Sequence, residues 1–256
     1  MLNHISYSAL KVWSECPYKM KLGYVDRIRG PGSIHTAFGT SIHKSTELKS
    51  KDASVDEVSI FKETFKQEIS KLLTENVELS QKDVDEFGEQ GVMLAPLVIP
   101  ELKRFFGEYE LYSAEEALYE EIKEFTGNPF FFKGFIDSII KTPDGKYHIL
   151  DYKSSSWGWD HEKKSDPMIT YQLTLYKKFF AQKHGIDEKD IETYFCIIKR
   201  TVKKDHIEVF RVTSGPKKTE NALKVLNNCL SSVNKSFFPK NRMSCKYCES
   251  YKKDFK

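Results

Sequence analysis

No stretch of this 256-residue chain approaches the roughly 18 consecutive apolar residues a membrane helix needs, so no spanning segment is expected. The opening run MLNHISYSALKVWSEC has no apolar core of the kind a signal peptide requires, which points to the cytoplasm. Cysteine is scarce and odd in number, five in all, which argues against a disulfide framework. There is no internal repeat and no low-complexity tract. What remains is 39% hydrophobic and 30% charged residues, an ordinary globular balance that excludes a disordered or fibrous chain.

Charge of either sign is not lacking, but it is unevenly placed. Residues 1–51 hold eight Lys/Arg and three acids (+5), and residues 52–124 hold seven and nineteen (−12). Residues 125–198 balance at ten and ten, and residues 199–256 hold fifteen and five (+10). Two readings stand at this level: a basic face for a polyanion, or a set of solvated helix faces.

The pattern along the chain changes once. Residues 6–24 read as a helix capped by Ser6 or Ser8 and broken by Pro17 near Cys16, and a loop at 30–33 precedes a second helix over 36–50. Residues 54–112 read as acidic and mostly helical, with breaks at Gly88, Gly91, Pro96 and Pro100. From 117 on, ALYEEIKEF, FFFKGFIDSIIK and KYHILDYKSS read as a three-stranded meander with turns at Gly127-Asn128-Pro129 and Pro143-Asp144-Gly145. A helix over 167–184 ending at Gly185, two more strands around Lys203–Asp205 and a helix over 216–236 complete an α/β chain with a basic, irregular end.

The chemistry-bearing residues fall in the meander. A lone acid, Asp137, interrupts a run of buried residue types, and Asp151 and Lys153 share a face of the next strand. Adjacent strands can bring the two carboxylates together, and such acids repel unless a cation lies between them. A hard divalent ion on oxygen ligands is the natural occupant. An acid in one strand followed by Asp151-Tyr152-Lys153 in the next resembles the PD-(D/E)XK nuclease core. Three further elements extend the resemblance to the RecB-type nucleases. These are Gly39-Thr40-Ser41-Ile42-His43 upstream, Gly134-Phe135-Ile136-Asp137 as the G-x-x-D element, and Gln172-Leu173-Thr174-Leu175-Tyr176 downstream. The relatives include the CRISPR adaptation exonucleases and phage or mitochondrial RecB-like exonucleases. The resemblance covers the chain except about residues 52–116, read as a helical insertion in a single nuclease domain over 1–256.

The resemblance implies a restriction-endonuclease-like mixed sheet flanked by helices. It implies a Mg²⁺- or Mn²⁺-dependent deoxyribonuclease, an exonuclease of recombination, repair or replication, in a bacterial or phage-infected cell. His43, Asp137, Asp151 and the Tyr152 carbonyl would hold the metal, and Lys153 would orient or help deprotonate the attacking water. Gln172 and Tyr176 would bind substrate. Glu47, one helical turn beyond His43, reads as a further ligand, a supporting acceptor or an exposed acid. DNA, single-stranded or with free ends, is the expected partner, along with a helicase, recombinase or single-strand-binding protein. Rival readings are a catalytically silent DNA-binding module and an iron–sulfur or zinc interaction protein.

Two features stay open. Trp157 and Trp159 flank a glycine in a polar loop, and either stack on unpaired bases or pack beneath the loop. His161 in the same loop has no assigned role. Cys16, Cys245 and Cys248 match three positions of the [4Fe–4S] ligand set found in many of these relatives, but Asp254 stands where the fourth cysteine falls. A cluster, zinc on three sulfurs with Asp254 or water, and free thiols are the three outcomes. Cys196 and Cys229 read as small core residues.

Overall fold

The aromatic and β-branched run Phe131–Lys141 (β3) organises a six-stranded sheet. In this computed structural model the described residues are 2–28, 30–126 and 129–243. Strand β2 (Glu110–Glu121) pairs antiparallel with β3 along its whole length. The other edge of β3 is shared. A short β1 (His4–Ser6) pairs in parallel with residues 131–133, and β4 (Tyr147–Ser155) pairs antiparallel with residues 138–141. Residues 134–137 are therefore left between two departing strands. On the far side, β5 (Ile191–Lys199) runs parallel to β4 and β6 (Ile207–Val212) closes the sheet.

Each face of the sheet carries its own core. On one face, α1 (Tyr7–Glu15), α8 (Pro167–His184) and α9 (Pro216–Asn234) bury Leu10, Leu173, Phe179 and Leu226 against Phe132, Ile136, Ile149 and Phe195. On the other, α3 (Ile34–Lys51) packs Phe38 and Ile42 against Leu150, Tyr152 and Ile198. The acidic segment joins this second core through α4 (Glu57–Thr74), α5 (Gln81–Leu94) and α6 (Val98–Phe106), which bury Phe61, Phe87 and Leu102. Its acids face outward, and its aromatic stripe faces the sheet side.

Several boundaries differ from the sequence reading. Gly88 and Gly91 do not break a helix, because α5 runs through both. A Cβ at Gly91 would stand 1.8 Å from Phe61 Cζ, so this glycine admits an aromatic ring from α4. Pro96 lies in a 3₁₀ turn, and Pro100 lies in the first turn of α6, where its missing N–H removes no helical bond. Strand β2 starts at Glu110 instead of Ala117, since an edge strand rich in glutamate hides its alternation. The break at Cys16 holds: its backbone is extended (φ −162°), and α2 (Pro17–Met20) starts with Pro17 at its first position. Gly185 ends α8 in the left-handed conformation (φ 65°). The polar loop after β4 contains a short helix, α7 (His161–Ser165), capped by Asp160. No described helix is long and apolar enough to cross a membrane.

Candidate active site

The fork between β3 and β4 sets the geometry of the site. Beyond Leu150 the β3–β4 ladder stops. The Tyr152 N–H donates instead to Asp137 Oδ2 at 2.7 Å. A main-chain donor that would otherwise be lost thus fixes the first acid. Helix α3 begins at a capping box, in which Thr36 N–H donates to Ser33 Oγ and Ser33 N–H to Thr36 Oγ1. The helix then carries His43 over the fork, with Nδ1 3.4 Å from Asp137 Oδ1 and its ring edge-on to Tyr152. A Cβ at Gly39 would meet Ser154 Oγ at 3.7 Å, an ordinary contact, so the approach of α3 does not depend on that glycine.

The second acid is held from the other face. Asp151 is buried, and Lys153 Nζ lies 2.5 Å from its Oδ2. Gln172 Nε2 on α8 donates to Asp151 Oδ1 at 2.7 Å and to the Tyr176 hydroxyl at 3.3 Å. Gln172 and Tyr176 thus stand beside Asp151, and the Gln172 amide orients its carboxylate. Gly134 is needed here: a Cβ on it would fall 2.9 Å from Tyr176 Cε1.

Electrostatics tie the two halves together. Burial raises the Asp151 carboxyl, Lys153 pulls it down, Asp137 pushes it up again, and it ends above the ordinary carboxylate range. Burial also works against charge on Asp137, but the His43 and Lys153 cations and the Tyr152 N–H outweigh it and hold that carboxyl low. For His43 and Lys153 burial opposes the cation and the two aspartates prevail, so both are raised.

One acid escaped the sequence reading. Glu115 lies on β2 opposite Asp137, bracketed by the pairs Ala114–Ser138 and Glu116–Ile136. Its backbone is left-handed (φ 56°), and ligand atoms of His43, Glu115 and Asp137 all lie within 4.8 Å of one another. Burial and the neighbouring Asp137 and Glu47 carboxylates raise Glu115. Nothing in the run AEEALYEE distinguishes it from its neighbours, because its place depends on strand register. One imidazole and two carboxylates form a mixed N/O donor set that fits Mg²⁺ or Mn²⁺. Asp151 lies outside this tight trio, engaged with Lys153 and Gln172. Glu47 pairs with Lys44 and Lys51 on the surface of α3.

The open features separate. Trp159 packs against Phe195 and Phe210 under the loop, whereas Trp157 is 66% exposed. His161 is exposed at the start of α7. Cys196 and Cys229 are fully buried core residues. Cys16 is buried, its Sγ accepts from the Asn241 N–H, and Tyr18 N–H donates to the Pro239 carbonyl, so the described end of the chain returns to the first helices. Cys245, Cys248 and Asp254 lie outside the described residues, as does most of the expected turn at 127–129.

The fork, the acids on β3 and β4, the lysine two residues on and the flanking helices define a nuclease core of one kind. The profile of the PD-(D/E)XK nuclease superfamily matches residues 4–252, and the chain belongs to that superfamily. Among solved structures, a provisionally named exonuclease from Eubacterium rectale is similar in fold. It has a TM-score of 0.64 and 14% identity, over 97% of this chain and 88% of that one. SSO0001 (TM-score 0.43, 16% identity, 96% of this chain and 82% of that one) is a more distant match. So is LHK-Exo in complex with dAMP (TM-score 0.33, 10% identity, 86% and 99%). A search of curated proteins gave no match.

Proposed function

We propose that this protein is a divalent-metal-dependent deoxyribonuclease that acts from DNA ends, as an exonuclease of recombination, repair or replication. The observation that carries this reading is the convergence at one fork of two cation–carboxylate pairs, His43–Asp137 and Asp151–Lys153, with Glu115 completing a ligand set. His43, Asp137 and Asp151 would hold Mg²⁺ or Mn²⁺, with Glu115 added and the Tyr152 carbonyl adjacent. The ion would supply Lewis acidity to a phosphoryl oxygen and make water more acidic. Lys153, with its ammonium against Asp151, would orient the attacking water or help deprotonate it. Gln172 fixes the direction of Asp151, and Tyr176 fixes Gln172.

End-labelled linear and closed circular DNA, incubated with Mg²⁺ or Mn²⁺, tests the reading. Linear DNA should be degraded and closed circles spared. Asp137→Ala and Asp151→Ala should each abolish cleavage, and wild-type-like cleavage by either would refute the assignment. Glu115→Gln should weaken Mn²⁺ uptake, measured by calorimetry, by about tenfold while leaving the fold unchanged. DNA binding without cleavage by the wild-type protein would establish the silent binding module instead.

A further inference from the structure

The fork does not end at the acids. On the edge of β3 that β1 and β4 leave open, a cleft of about 790 Å³ runs between β1, the start of α1, residues 23–28 with Gly30, and Lys133–Phe135, with Tyr176 in its wall. Tyr176 links it to the site through Gln172 and Asp151. We propose that this cleft is a subsite for an unpaired nucleic-acid strand, its phosphates met by His4, Arg27 and Lys133 and one base stacked on Phe135. The proposal rests on the nuclease reading and specifies its substrate as single-stranded at this point.

Charge is the first ground. Two cationic side chains, Arg27 and Lys133, and the His4 imidazole line the cleft, and among the described residues no aspartate or glutamate does. Neither Arg27 nor Lys133 is in an ion pair among the described residues, although surface cations elsewhere in this chain are widely paired. The His4 imidazole lies in the field of those two cations. Burial, then Lys133, then Arg27 hold the His4 imidazole below its ordinary value. The positive end of α1 adds to that field, since Ser6–Ala9 line the same cleft.

Presentation is the second ground. Arg27 adopts a left-handed backbone (φ 59°), a conformation disfavoured for a non-glycine residue. It persists in a segment pinned by Asp26 N–H to the Lys21 carbonyl and Ile28 N–H to the Leu22 carbonyl. The arginine is thus offered from a held turn.

The aromatic ring is the third ground. Phe135 is 51% exposed, although it lies in a strand whose neighbours Phe132, Gly134 and Ile136 are buried. It shares a face with Asp137, two residues and roughly 7 Å further along the strand. An exposed ring beside cations and next to a catalytic acid is a stacking platform. Bases inside a duplex already have both faces covered, so away from a duplex end only an unpaired base can use it. The volume also exceeds what a lone phosphate would fill.

The test is fluorescence anisotropy of a labelled single-stranded octanucleotide and a blunt duplex, in Ca²⁺ to hold the site without turnover. Phe135→Ala should weaken single-strand binding by roughly 5- to 100-fold and leave the duplex unchanged, and Phe135→Trp should restore it. The pair Arg27→Ala and Lys133→Ala should reduce the slope of log affinity against log salt by about 1.4, two phosphate contacts on a single strand. Circular dichroism melts check the fold, and if the alanine variant fails to fold, Phe135→Leu, which keeps apolar bulk but removes the ring, takes its place with the same expected loss. Unchanged single-strand affinity in the folded Phe135→Ala or Phe135→Leu variant, or an unchanged slope in the Arg27→Ala and Lys133→Ala pair, would overturn the proposal, as would equal losses on the duplex. A wild-type protein that binds in this pattern but never cleaves would overturn the nuclease reading and uphold the subsite. One that cleaves with variant-insensitive binding would do the reverse.

Discussion

Lys153→Met removes the ammonium beside Asp151 while keeping most of the stem's bulk. Asp151 is 3% exposed at its side chain and Lys153 33%. Breaking a buried ion pair from one side costs about 3–5 kcal/mol, because the remaining charge is left without a partner. Water already reaches the lysine, so the lower end, about 3 kcal/mol at pH 8 in EDTA, is expected. At about 2–4 °C per kcal/mol for a chain of this size, the melting temperature should fall by roughly 6–12 °C. The pH dependence has a definite sign. Burial already raises Asp151, and losing the ammonium raises it further. Between the unfolded and folded values the native state then binds more protons than the unfolded state, so stability falls as pH rises. The deficit against wild type should be small near pH 4 and full at pH 8. The double variant Asp151→Asn/Lys153→Met should recover most of the loss. Thermal melts from pH 4 to 8 read this directly, and a deficit that is absent or flat with pH would refute the pairing.

Other consequences follow from single contacts. Gly134→Ala pushes a methyl into the Tyr176 ring, so cleavage should drop while the circular dichroism spectrum stays native; unchanged cleavage would mean Tyr176 does not steady Gln172. Trp159→Ala should cost about 3–5 kcal/mol in urea denaturation, as for a buried aromatic, whereas Trp157→Ala should fall within about 0.5 kcal/mol of wild type. Burial opposes charge on Glu116, but bonds from Lys183, Ser113 and His184 outweigh it and push its carboxyl down to about 2. Its contribution is present above the ordinary value of 4.5 and is lost as pH falls toward 2. Glu116→Gln should therefore lower stability at neutral pH and flatten the acid limb of the stability curve, and an unaltered limb would count against the contact.

The candidate site was legible in the chain through a family resemblance carried by short motifs, whose residues sit on regular spacings. Asp151 and Lys153 lie two apart on a strand, Gln172 and Tyr176 lie four apart on a helix, and Asp137 is the only acid within an apolar run. These are local periodicities, and the elements that carry them formed where expected. The tertiary structure alone decided what depends on partners distant in sequence. Glu115 reaches His43 and Asp137 because β2 pairs with β3 in one register, and no neighbouring residue records that register. The equivalence of Trp157 and Trp159 ends only where Phe195 and Phe210 cover one of them. Gly91 reads as a helix breaker until Phe61, thirty residues earlier, needs the space of its missing side chain. The open edge of β3 at residues 134–137, with the cleft beyond it, exists because β1 and β4 share that edge without meeting, and strand pairing across the fold sets that arrangement.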